Sequence, residues 1–101
     1  MSPYLWCIPD PSDPNREICE PILVEIEPPR LIPDPKIGLE LVPEELRTDI
    51  AVLVGIDRLA AGMQDSQVGV QLVEAVDRMV AQLAEKLPSD LVIKRADSAA
   101  Q

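Results

Sequence analysis

The sequence predicts a mainly α protein: a C-terminal antiparallel helical hairpin preceded by a long Pro-rich extended arm with one or two short β-strands. Two observations carry this expectation. Ten of the 11 prolines fall in the first 43 residues, with Pro88 the exception. Beyond Pro43, apolar residues recur with helical spacing through two segments separated by Gly62–Ser66. The expected division is an arm over 1–42, a hairpin domain over 43–95 and a frayed tail over 96–101.

The arm follows from what proline does to a backbone. It removes a hydrogen-bond donor and blocks helix interiors, and it pushes the preceding residue toward extended geometry. Gly is missing from the first 37 residues, so the arm reads as stiff rather than as a flexible tether. Two segments within it alternate. In Ile22-Leu23-Val24-Glu25-Ile26-Glu27, Ile22, Val24 and Ile26 share a face, and in Ile37-Gly38-Leu39-Glu40-Leu41, Ile37, Leu39 and Leu41 do so. These strands are expected to pair with each other around Pro28–Pro35 or to add to a sheet edge on another protein. Ile8-Pro9-Asp10-Pro11 recurs as Ile32-Pro33-Asp34-Pro35. Asp before Pro favours a turn, and a doubled motif also suits two equivalent binding sites.

Pro43, followed by Glu44 and Glu45 at the positive end of the helix dipole, opens the first helix. It is expected to run to about Ala61, with Gly62 as its stop. Asp65 or Ser66 caps the second, which is expected to reach Leu87 before Pro88. Leu91-Val92-Ile93 reads as a last short strand or a docked tail.

On a helical wheel, Leu46, Ile50, Leu53 and Ala60 form one stripe of the first helix, and Val52, Ile56, Leu59 and Met63 form a second beside it. Together they span about half the circumference, against the ~100° that one contact surface needs. The second helix is similar: Val68, Leu72, Val76, Met79, Leu83 and Leu87 form a wide face that Val73 and Val80 extend. One hairpin hides one stripe on each helix. The remainder requires cover from the arm, a second copy or another protein, and two hairpins closing into a four-helix bundle is the simplest arrangement. The residues expected to meet a partner are Tyr4, Trp6, Ile22, Val24, Ile26, Val52, Ile56, Leu59, Val73 and Val80.

Charge and composition narrow the function. The net charge of −9 repels phosphate backbones and anionic membranes. The acidic excess is spread, −5 over residues 1–43 and −4 over 44–101. The longest apolar stretch, Ile50 to Ile56, is far short of the ~20 residues of a membrane span. The opening Met1-Ser2-Pro3-Tyr4-Leu5-Trp6 has neither a basic segment nor a long apolar one. The expected location is therefore the cytoplasm or an assembled particle, and there Cys7 and Cys19 are expected as free thiols, with a disulfide between them the alternative in an oxidising place.

Nothing points to catalysis. His is absent, the four glycines form no phosphate loop, and the serines have no activating base in an obvious motif. No cofactor and no metal is expected. Asp57 and Asp77 stand out because both fall beside apolar positions, in the similar heptads Gly55-Ile56-Asp57-Arg58-Leu59-Ala60-Ala61 and Ala75-Val76-Asp77-Arg78-Met79-Val80-Ala81. Such carboxylates suit acid–base work or a shared metal. With the turn near Gln64, however, an axial offset of roughly 9 Å separates them, and each is expected instead to pair with an Arg from the arm or a neighbouring chain. The expected function is a non-catalytic structural or assembly subunit. Virion accessory and cement proteins are analogues, docking through the arm and the apolar helix faces. The alternative is an acidic regulatory binder that occupies a basic site on a partner protein.

Overall fold

The computed structural model describes residues 3–96. The chain is mixed α/β, and this overturns the mainly α expectation. The segment expected as an extended arm is folded into antiparallel hairpins. β1 (Tyr4–Asp10) pairs with β2 (Asp13–Pro21), and β3 (Leu23–Ile26) pairs with β4 (Pro29–Ile32). Two helices follow, α1 (Glu44–Ala61) and α2 (Gln67–Ala84), and then β5 (Val92–Arg95). β5 returns to the free side of β1, giving a sheet of order β2-β1-β5.

The prolines fail to prevent pairing because each falls where the ladder needs no donor. Pro14 and Pro21 lie on β2, an edge strand. Pro29 is the first residue of β4. Pro9 lies on the central strand, but β5 covers β1 only from Tyr4 to Cys7, so one side of the strand is open at Pro9. The recurring Ile-Pro-Asp-Pro sequence is a strand-ending device. Asp10 Oδ1 accepts from the backbone N–H of Ser12 at 2.8 Å, and Asp34 Oδ1 accepts from that of Lys36 at 2.8 Å.

Of the two expected strands, Ile22–Glu27 is present as β3. Ile37–Leu41 is not a strand: Leu39–Leu41 form a 3-10 turn. Two facts explain the difference. The pairing edge of β3 is taken by β4, with Val24 opposite Leu31 and Glu25 opposite Arg30. Arg47 of α1 also reaches back to the turn, donating to the carbonyls of Val42 at 3.1 Å and Leu39 at 2.8 Å.

The helices begin and end close to the expected places. Pro43 is the N-cap residue of α1 and Gly62 its C-cap. The Ser66 hydroxyl caps α2 by accepting from the Gly69 N–H at 3.0 Å. α2 ends at Ala84 rather than Leu87, yet Leu87 and Leu91 still turn inward. Ala96, expected at the start of a frayed tail, donates its N–H to the Pro3 carbonyl at 2.9 Å, and residues 97–101 lie outside the described residues.

One hydrophobic core joins both parts of the chain. Tyr4 and Trp6 of β1, Ile22, Val24, Leu31, Ile37 and Val42 pack with Leu46, Ile50, Ala51 and Val54 of α1 and Val76 and Val80 of α2. The sheets therefore cover the first stripe of α1 while α2 covers its flank. A 45-residue hairpin alone lacks the buried area to hold together in water, and the folded N-terminal part supplies it.

Candidate functional site

Two places gather side chains that make candidate sites. The first is an ionic cluster where β1, β5, α1 and α2 meet. Period-two alternation on β5 sends Ile93 and Arg95 to one face, and the register sets Arg95 opposite Tyr4. Arg95 is bidentate to Asp57 of α1, Nη1 to Oδ2 at 2.8 Å and Nη2 to Oδ1 at 2.7 Å. The same Nη2 donates to Asp77 Oδ1 of α2 at 2.5 Å. The Tyr4 hydroxyl donates to that Asp77 oxygen, and the guanidinium lies over the Tyr4 ring, 4.0 Å from its centre.

The electrostatics follow from this geometry. Burial, and then the hydrogen bond to Asp77, push the Tyr4 hydroxyl well above its ordinary pKa. Burial of Arg95 opposes its charge, but the hydrogen bonds to Asp57 and Asp77 and the charges around it outweigh burial, and its pKa is raised. Asp57 is only 3% exposed. A buried carboxylate of this kind needs a charged partner held in good geometry, and a bidentate arginine meets that need.

The offset argument that kept Asp57 and Asp77 apart is therefore overturned, since both accept from one nitrogen. The Arg they share is not one of the N-terminal segment but Arg95 from the last strand. The cluster ties both helices to the central sheet. The expected last strand, Leu91-Val92-Ile93, stops two residues short of Arg95, where β5 ends. Continuing the alternation by two residues puts Arg95 on the face of Ile93.

The second place is an apolar surface. Of the ten residues expected to meet a partner, Tyr4, Trp6, Ile22, Val24 and Val80 are buried in the chain's own core. They face inward because the N-terminal segment folds back on the helices instead of extending away from them. Val73 is half-buried and lines a shallow depression with Gln64, Val70 and Glu74. Ile26, Val52, Ile56 and Leu59 are exposed and lie together. With Pro29, Ala51 and Gly55 they line a groove between the β3–β4 turn and the outer side of α1. Val52 also lines a second groove of about 330 Å³ between the helices, with Leu53, Met79 and Leu83, edged by Asp49 and Lys86. Through Val52 the two grooves form one surface. Leu59 is 65% exposed, Ile26 52% and Met79 51%. Pro29, Leu53, Met79 and Leu83 were missing from the expected set, because only the fold shows which residues flank the second stripe.

The cysteines are not free thiols. Cys7 and Cys19 face each other across β1 and β2 and form a disulfide, with their Cα atoms 4.2 Å apart. One carboxylate oxygen of Glu17 and the two sulfurs lie within 4.8 Å of one another. Among the described residues, no helix is long and apolar enough to cross a membrane.

Compared with known protein families, with curated proteins and with solved structures, the chain matches none.

Proposed function

We propose that the chain is a non-catalytic assembly subunit that packs against a protein partner through the outer side of α1 and the grooves beside it. The supporting observation is the continuous apolar surface of Ile26, Val52, Ile56, Leu59 and Met79, which the chain's own β-sheets leave open. Apolar surface of this kind on a small domain marks an interaction site. Covering a large aliphatic side chain contributes about 1.5–3 kcal/mol, so a few such residues at the centre of an interface can dominate its affinity.

The N-terminal segment has a different part in this reading from the one its prolines suggested. It does not reach out to the partner. It supplies the sheet that holds α1 at a fixed angle, and it contributes Ile26 and Pro29 to the docking surface. Preorganised surfaces lose less entropy on binding.

Mass measurement tests the proposal. The purified chain is measured by light scattering alone and after gentle release from its native source. A stoichiometric place in a larger assembly, kept in high salt, supports apolar docking. Steep weakening with salt favours an acidic binder on a basic site, and a monomer under both conditions defeats the proposal.

A further inference from the structure

The disulfide joins the neighbouring strands β1 and β2. Tyr4 and Trp6 of β1 and Ile93 of β5 face the core. By alternation Cys7, Cys19 and Val92, which form one row across the three strands, project from the opposite side of the sheet. Glu17, two residues before Cys19 on β2, shares that side, and its Oε2 lies 3.7 Å from Cys19 Sγ. Lys94, two residues after Val92 on β5, reaches across to Glu17 Oε2 at 2.9 Å. A depression of about 270 Å³, lined by Cys7, Glu17, Asp90 and Val92 among others, leads to the otherwise buried Cys7.

We propose that this outer face of the sheet is a redox-gated metal site: with the disulfide reduced, Cys7, Cys19 and Glu17 bind one Zn²⁺. A dithiol reductant delivers two electrons and two protons, the S–S bond becomes two thiols, and the reductant leaves as its own disulfide. Zn²⁺ then replaces the two thiol protons, which pass to solvent. Two thiolates and a carboxylate are ligands Zn²⁺ favours, with a fourth tetrahedral position left for water.

The geometry suits this because the sheet, and not the S–S bond, sets the register. β1 is paired on both sides around Cys7, with Cys19 and with Val92, so the sulfurs stay opposed after reduction. Two thiolates on one tetrahedral Zn²⁺ are roughly 3.8 Å apart, a separation that side-chain rotation on closely facing strands can reach. Charge also balances. Two thiolates and Glu17 bring three negative charges against two positive ones on the ion, and Lys94 supplies the third. Cys19 Sγ and Lys94 Nζ both lie on Glu17 Oε2, so rotation of the exposed carboxylate is what brings the second oxygen to the metal while Lys94 keeps the first.

The test uses the full chain, reduced with a water-soluble phosphine that itself becomes the phosphine oxide. Co²⁺ is the spectroscopic probe, and Zn²⁺ is then added to displace it. The expected result is one Co²⁺ per chain with a sulfur-to-cobalt charge-transfer band, no band in the oxidised protein, and loss of the band on adding Zn²⁺. Glu17→Gln, an exposed change, is expected to weaken binding at least about tenfold, the loss that even an outer-shell partner can produce. Cys19→Ser is expected to weaken it further. Amide exchange on the reduced, metal-free chain is expected to show β1 still protected. Absence of a band, an affinity unchanged by Glu17→Gln, one ion shared between two chains, or a melted β1–β2 hairpin in the reduced protein would each overturn the proposal.

Discussion

Replacing Arg95 by Met removes the cation and keeps most of the apolar volume. Asp57, only 3% exposed, then loses both hydrogen bonds of its bidentate partner. Breaking a buried pair from one side costs about 3–5 kcal/mol, because an uncompensated charge is left behind. The Arg95 side chain is 17% exposed and that of Asp57 4%, so solvent relieves little of this. Domains of this size have roughly 5–15 kcal/mol of stability in total, and Arg95→Met is expected to remove a large part of it. In urea, with a slope of about 1 kcal/mol per molar, the midpoint should fall by roughly 3 M at unchanged slope. Asp57→Asn with Arg95→Met removes both charges, and the double variant should be more stable than the sum of the single losses predicts by about 1–3 kcal/mol. Additive losses, or a fall below about 1 kcal/mol for Arg95→Met alone, would refute the view that this pair locks the last strand to the helices.

Other outcomes follow from the same structure. The folded-state pKa of Tyr4 is raised, so its contribution is complete below the unfolded value of about 10 and declines as pH rises from there toward the folded value. Urea midpoints on the alkaline side should therefore fall more for the parent chain than for Tyr4→Phe. Ser66→Ala leaves the Gly69 N–H without its cap and should cost about 1 kcal/mol by thermal or urea unfolding. Reducing Cys7–Cys19, which are 12 residues apart, should lower stability by about 3 kcal/mol through restored loop freedom in the unfolded chain, without unfolding the native state.

The helical part was the more legible in the sequence. Two signals agree there: apolar spacing marks both helices and the two stripes of α1, and Pro43, Gly62 and Ser66 punctuate the helix ends. The N-terminal part is less legible, because the effect of a proline on a strand depends on its position in the sheet and not on how many prolines there are. Pro9, Pro14, Pro21 and Pro29 all fall where a strand tolerates them. That cannot be known until the edges of the sheet are known. The single-face alternation of Ile22, Val24 and Ile26 was a true strand signal, whereas Ile37, Leu39 and Leu41 carried the same signal and became a turn held by Arg47. The ionic cluster was half visible. Asp57 and Asp77 were conspicuous against apolar neighbours, but their partner lies 38 residues from Asp57 in the chain, and pairing at that distance is decided by tertiary packing. The exposed apolar surface was legible as an excess, since α1 carries more apolar arc than one contact can use. Which stripe stays outside was set by the sheet.

The most direct test of the proposed docking surface is a pair of charge insertions, Val52→Asp and Leu59→Asp, read for both association and fold. Both side chains are exposed, and exposed substitutions away from special features change stability by about 0.5 kcal/mol or less. The double variant is therefore expected to unfold near the parent midpoint while losing its place in the assembly, seen as a fall to monomer mass by light scattering. Retention of the parent mass by a variant that is folded would contradict the assignment of this surface.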